Sequence, residues 1–543
     1  MRIFSKLARW ERVLLLFALV LIIIGSIGLV IDLIQKKYDI KPQGGTYVEV
    51  IEGRVDDLDP FYALPETPEY EILSLIFSGF LQYDANTGTF VGDIADTFDV
   101  SEDFTTFNFH IRDSVKWHDG KKLTLDDVIY TFELIKNPDL ASPWYNTFKN
   151  AKIEADTEKN TVRIILPQSD RLFIQTFTLF IVPKHLLENV SVDQIKTGFF
   201  ASFPVGSGMF SLLDIIHSTK RDIVKLSYFQ DYYTRLKPNI SLLQFEFVED
   251  IEDGSDASAY RSIVPEGKDN LVNYSFEVPR YRSLFFNVQS SNMRSINSRR
   301  GIEYVIQNLL YKTEEKKPIV DIFTEEASHD AFETYVVDNK EEDVESKIRE
   351  YFYNAGWQLY SKEFDDGIRR NKEREKVELK LLTLDIPEFK EQAELIKTAI
   401  EKYGVIVNVG AFSWEELYTD FIEQGKYDLL LLDMDEGYGK DLYKYLHSSI
   451  QNNFVTGRNF SQFGDIEFDI LLEDIRLATD KERVNKVLSE LEKRYDTYLP
   501  FFYIEKTPYI YSTVSQLQGV RVPQHSLNSQ DRFTNFHEMY FYK

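Results

Sequence analysis

The chain has 543 residues, too many for one ordinary hydrophobic core, so two or more lobes are expected. Asp and Glu number 88 against 62 Lys and Arg, a net charge of −26, which excludes a phosphate-binding surface of the kind nucleic acid requires. Cysteine is absent, which removes disulfides, thiolate zinc sites, cysteine nucleophiles and a lipid-bearing N-terminal cysteine together.

The first element is apolar. Val13 to Ile31 is a run of 19 uncharged residues, preceded by Arg2, Lys6, Arg9 and Arg12. That length is close to the ~20 residues a helix needs to cross a bilayer. The preceding cations orient it with the N-terminus in the cytoplasm and the rest outside. A cleaved signal peptide is the rival reading, but its apolar region runs only ~7–15 residues before a small-residue cleavage site. Here the run continues into Asp32-Leu33-Ile34-Gln35-Lys36-Lys37 without one, so an uncleaved transmembrane signal anchor over 13–34 is expected, behind a basic cytoplasmic segment 1–12.

From Gly44 the pattern becomes that of a folded α/β protein. TYVEVIEG alternates as a strand, 72–84 read as a helix giving way to a short strand, and Val91 to Arg112 hold two alternating strands around an acidic turn. Asp119-Gly120 marks a tight turn, and Thr124 with Asp127 forms a capping-box-like start to a helix whose apolar face carries Val128, Ile129 and Phe132. Residues 161–167 and 283–288 read as strands, and SRRGIEYVIQNLL from Ser298 as a helix. A β-α-β unit follows: strand 377–384, a helix with Phe389, Ala393, Ile396, Ile400 and Tyr403 on one face, Gly404 as terminator, and strand 405–409. The four leucines of YDLLLLDMD (427–435) predict a strand buried on both faces, and two late helices precede the strand 499–504. No repeat and no Gly/Ser- or Pro-rich linker separates independent domains.

Enzyme motifs fail on inspection. His537-Glu538 is followed by Met-Tyr-Phe, not by a second zinc-binding histidine, and neither a nucleophile elbow nor a complete phosphate loop occurs. Asp433, Asp435 and Asp441 suggest a calcium loop, but Lys444 stands where the bidentate Glu is needed. No catalytic residue, metal site or cofactor is expected.

One series of motifs does carry a resemblance. Leu58-Asp59-Pro60, Gly79-Phe80, Ile94-Ala95-Asp96-Thr97-Phe98, Ser101-Glu102-Asp103 and Phe109-His110-Ile111-Arg112 occur in order. They lead into Trp117-His118-Asp119-Gly120 and Leu123-Thr124-Leu125-Asp126-Asp127-Val128, and later into VPKHLL, FPVGSGMF and YNAGW. This order resembles the family 5 extracellular solute-binding proteins, the peptide-type receptors of bacterial ABC importers. The resemblance weakens over 311–346.

The resemblance implies a two-lobed periplasmic-binding-protein-like fold (type II, large peptide-binding class). Lobe I would take 44–284, with an accessory subdomain at about 65–200, and 500–543; lobe II would take 285–499. It further implies an extracytoplasmic protein that captures a peptide-like ligand in the inter-lobe cleft and delivers it to ABC permease subunits, with the ATPase only an indirect partner. An oligosaccharide or nickel chelate as ligand, or a non-transport sensor, are the alternatives. In the family an aspartate after a lobe II strand holds the peptide α-ammonium. Alignment from Tyr427-Asp428 puts Met434 at the family's Trp and Gly437 at that aspartate, so Asp435, or Asp433, is the expected substitute, with Tyr438 beside it. Phe61, Tyr62 and the Gly206-Ser207-Gly208 turn are the lobe I candidates, the turn because its glycines allow close approach of backbone to an extended ligand.

Overall fold

The computed structural model describes residues 42–543 except 56, 64–66, 235, 250, 252–256, 263–264, 266–269, 311–340, 361–363, 365, 440, 451–457, 479 and 543. The expected anchor over 13–34, and most of the stretch where the family likeness weakens, lie outside the described residues. Among the described residues no helix is long and apolar enough to cross a membrane.

Chain order sorts the strands into separate sheets. Strand β1 (Thr46–Glu52) leads into helix α1 (Pro68–Ile76) and the hairpin β2 (Leu81–Asp84) and β3 (Thr89–Gly92). Next come β4 (Ala95–Val100), β5 (Thr106–Ile111), helix α2 (Leu125–Ile135), β6 (Lys152–Asp156) and β7 (Thr161–Ile165). The four strands form one antiparallel sheet in the order β4-β5-β7-β6. Its inward residues Phe107, Phe109, Val162 and Ile164 bury a core of their own against Trp117, Phe132 and Phe148, as period-two alternation requires. The chain then adds β8 (Phe210–His217), β9 (Arg221–Tyr228), β10 (Leu242–Val248), β11 (Ala259–Arg261) and β12 (Leu271–Phe276).

After β12 the chain leaves this lobe. It forms β13 (Arg280–Phe286), α3 (Ile296–Leu310), α4 (Glu341–Asn354), the short pair β14 (Gln358–Leu359) and β15 (Arg369–Arg370), β16 (Glu378–Leu384), α5 (Pro387–Glu401), β17 (Ile406–Phe412) and β18 (Leu429–Asp435). Helices α6 (Ile466–Leu477) and α7 (Lys481–Tyr498) precede β19 (Phe501–Lys506), and β20 (Tyr509–Val514) follows. The lobe II sheet has the order β17-β16-β18-β13-β19; β16 runs parallel to β17 and β18, which is the geometry a β-α-β crossover through α5 gives. The lobe I sheet has the order β12-β20-β11-β1-β10-β9-β8, with β20 returned from the end of the chain.

The expected lobe boundaries need correction. Strand β13 lies wholly in the lobe II sheet, so a boundary at 284/285 would cut it, and β19 beyond 499/500 still belongs to that sheet. The crossings are Glu277-Val278-Pro279 and Thr507-Pro508, each with a proline. Alternation marks a strand; the sheet it joins depends on partners far away in sequence. The crossings are tied side by side, with the Thr507 N–H donating to the Arg280 carbonyl at 3.0 Å.

The motif at 115–132 is scaffold. Lys116 and Lys122 make an isolated bridge rather than extending β5, and Asp127 accepts from the Thr124 N–H at 2.8 Å as a capping box. The other Asp127 oxygen accepts the Lys184 N–H at 2.9 Å, pinning the next segment to the start of α2. His118 fastens the 206–208 turn: its Nε2–H donates to the Gly208 carbonyl at 3.0 Å and its Nδ1 accepts the Gly206 N–H at 3.3 Å. Burial lowers the His118 pKa to about 4, which keeps the ring in the neutral form this pair of bonds needs.

Candidate functional site

The C-terminal end of β18 is where lobe II meets lobe I. Leu429 to Leu432 fill the strand's buried length, and the polar residues begin at Asp433. The two candidate carboxylates there have different partners. Asp433 stands opposite Arg282 on β13, with the Arg282 Nε 2.5 Å from its Oδ1. Arg282 is 5% exposed, donates to Gln392 Oε1 at 3.0 Å, and lies 3.7 Å from the Phe389 ring centroid. Asp433 is therefore neutralised inside its own lobe. Asp435 is held differently: its N–H donates to the Tyr445 hydroxyl at 3.0 Å and its Oδ1 accepts the Gly437 N–H at 2.7 Å. That second bond forms the tight turn by which the strand ends.

Across from Asp435 stands a segment from the far end of the chain. Asp531 is 4% exposed and its Oδ2 accepts the N–H groups of Leu527 at 2.7 Å and Asn528 at 3.2 Å. Burial pushes the Asp531 pKa up to about 7 against those two donors, and the negative charges of Asp435 and Glu71 add to the rise. Tyr83 of β2 donates its hydroxyl to the His525 carbonyl at 2.8 Å, fixing the β2–β3 hairpin to this segment. Tyr438 of lobe II packs edge-on against Phe90, with centroids 4.9 Å apart, and against Tyr83 at 6.3 Å. On the lobe II side Tyr281 stacks on Tyr503 at 4.5 Å, and the Tyr503 hydroxyl donates to Glu436 Oε1 at 2.6 Å.

The wall carrying Asp531 is braced from beneath. Arg532 is fully buried and pairs with Glu49 at 2.6 Å and Glu71 at 2.7 Å, while Arg261 reaches Glu71 at 2.6 Å. Burial alone would raise the Glu71 pKa, but the Arg261 and Arg532 guanidiniums bring it down to about 2. Charges so desolvated are tolerable because each is both paired and hydrogen-bonded.

The structure brings Asp435 and Tyr438 together with Tyr83, Phe90 and Asp531, and places the other candidates elsewhere. Phe61 is 4% exposed in the lobe I core, and the Tyr62 hydroxyl donates to the Leu140 carbonyl. A Cβ at Gly206 would lie 1.9 Å from the Ile76 carbonyl oxygen, so the missing side chain admits the end of α1, and Ser207 is fully buried beside it. Among the described residues no group of three or more metal-ligating side chains forms. Sequence reasoning missed Tyr83, Phe90, Asp531 and Arg532; they lie in two stretches, a hairpin near the start and a segment near the end of the chain, which only folding makes neighbours.

Comparison with known proteins agrees with this architecture. The model of the middle region of bacterial extracellular solute-binding proteins, family 5, matches residues 89–453. Relatives from Brucella ovis and Brucella abortus, named as belonging to ABC transporters, are 28% identical over 321 residues, covering 55% of this chain and 58% of their own length. The oligopeptide-binding protein AppA of Bacillus subtilis is 21% identical over 501 residues, 86% of this chain and 88% of AppA. Its structure with a nonapeptide superposes with a TM-score of 0.75 at 19% identity, covering 93% of this chain and 100% of that one. NikZ from Campylobacter jejuni in complex with Ni(L-His) superposes with a TM-score of 0.76 at 20% identity, covering 91% of this chain and 99% of NikZ.

Proposed function

The chain belongs to the bacterial extracellular solute-binding proteins of family 5, and from that membership we propose that it captures a peptide-like ligand between its lobes and delivers it to an ABC permease. It performs no chemistry of its own in this reading, and the permease, with its ATPase beyond the membrane, is the partner. The observation that carries it is the meeting of Asp435 and Tyr438 on lobe II with Tyr83, Phe90 and Asp531 on lobe I. A carboxylate in an aromatic-lined junction suits a ligand ammonium, because the low local dielectric strengthens a well-aligned pair. Asp433, the second candidate, pairs with Arg282. Residues 13–34 are proposed as an uncleaved anchor that keeps the folded part at the extracytoplasmic face of the cell membrane; N-terminal sequencing of the membrane-extracted protein checks it by yielding Met1 rather than a later residue.

The ligand is tested by thermal shift of the purified chain against peptide pools, oligosaccharides and nickel–histidine. A peptide at 100 times its Kd stabilises by about 2.7 kcal/mol. Stabilisation by a sugar or by nickel–histidine, with none by peptides, overturns the peptide reading in favour of that ligand. For a bound peptide, Asp435→Asn lowers affinity by roughly 30-fold, about 2 kcal/mol. Unchanged affinity removes Asp435 as the anchor.

A further inference from the structure

Beyond the Tyr438 contacts of the candidate ligand site, residues 436–439 and Asp441 make further contacts with lobe I and with the crossing. At its start, the Glu436 N–H donates to the Pro279 carbonyl at 2.9 Å, on one of the two crossings between lobes. Tyr438 then packs on Phe90 and Tyr83 of lobe I. At Gly439 a Cβ would lie 2.6 Å from Leu172 Cδ2, so backbone of lobe II touches a side chain of lobe I directly. Asp441 ends the segment, bonded to the Arg476 guanidinium, whose Nη1 lies 3.9 Å from Asp170 Oδ2 across the junction. The Tyr443 ring supports that guanidinium at 4.2 Å.

A second set of bonds closes beside the first. Helix α6 of lobe II ends with carbonyls that have no partner further along the helix. Lobe I supplies two donors to them: the Arg171 N–H donates to the Arg476 carbonyl at 2.9 Å, and the Arg171 Nε–H to the Ile475 carbonyl at 2.8 Å. A cation at a helix C-terminus is favoured by the dipole as well. Asp170 is itself fixed, accepting the Leu172 N–H at 2.9 Å.

We infer that residues 436–439, Asp441 and the end of α6 form a latch onto residues 170–172 of lobe I, which holds the lobes together and sets how tightly any ligand is retained. The segment runs from a crossing at one end to Asp441 and its Arg476 partner at the other, so hinge opening must break the Arg476–Asp170 pair, withdraw Tyr438 from Phe90 and uncap α6. None of the latch groups on 170–172 and 475–476 belongs to the candidate ligand site. Their strength therefore fixes the ratio of open to closed molecules for every ligand alike. The inference needs two hinged lobes, and holds whichever ligand the cleft takes.

The absence of native cysteine allows a direct test on the full chain. Spin labels at Lys159→Cys in lobe I and Lys486→Cys in lobe II, both exposed positions, report the lobe separation without any added ligand. In Arg171→Ala/Arg476→Ala the population at longer separation rises, by roughly tenfold in the open-to-closed ratio for each charge-assisted bond lost. Arg171→Lys, which keeps a cation at the end of α6, restores most of the closed population. Arg171→Ala alone keeps its backbone N–H and gives the same reading if the double variant is unstable. Identical distance distributions in the unaltered chain and a folded Arg171→Ala variant overturn the latch.

Discussion

Asp433 and Asp435 lie two residues apart on one strand and face different fates. Asp433 is directly opposite Arg282 in the β13–β18 ladder, so a cross-strand ion pair absorbs its charge. Asp435 comes after the last paired leucines, at the turn, where lobe I segment 525–531 faces it. Gly437, aligned by the sequence resemblance with a ligand-holding aspartate, has φ +62 and nothing within 4 Å of a Cβ. An aspartate there would find space and would strain the backbone by about 1 kcal/mol, since αL is costly for a side chain. Asp531 makes the sharpest prediction at this scale. Its pKa rises from 3.8 to about 7 in the folded chain, so the folded state binds the extra proton and stability falls as pH rises between those values. Asp531→Asn keeps an acceptor for the Leu527 and Asn528 N–H groups and lacks that charge. The variant's melting temperature should gain on the unaltered chain as pH goes from about 4 to about 7. A constant difference across that range counts against the buried carboxylate as cause.

At the scale of elements, β18 was the most legible. Four consecutive leucines in a seven-residue strand predict burial on both faces, and β16 and β13 cover both edges. Leu431 is fully buried, so Leu431→Ala should cost about 2–5 kcal/mol, read as a lowered denaturation midpoint of the lobe II transition. The capped start of α2 was equally plain, because Thr124 and Asp127 are neighbours in sequence and their bonds are local. The role of His118 was not plain. Its partners are Gly206 and Gly208, some ninety residues on, and the glycines that looked suited to a ligand instead admit the end of α1. Phe61 went the same way: an aromatic after Leu-Asp-Pro is equally suited to a cleft or a core, and burial in the core decided it.

At the scale of the whole molecule, the C-terminal segment holds lobe I and the candidate site together. Arg532 links it to Glu49 on β1 and Glu71 on α1, all three fully buried or nearly so. Arg532→Ala strands the buried Glu49 without its cation, leaves Glu71 to Arg261 alone, and should destabilise lobe I by about 3–5 kcal/mol. Thermal unfolding should show the loss in lobe I, with the lobe II transition little changed. The sequence by itself determined the α/β character, the β-α-β unit, the capped helix and the family, because periodicity, capping and ordered motifs are local properties of a chain. Tertiary structure decided where the lobes divide, which aspartate faces lobe I, and that residues 170–172 meet Gly439 and 475–476. Those depend on strand pairing, burial and ion pairs between residues as much as several hundred positions apart, and no local pattern encodes which distant partner a side chain will meet.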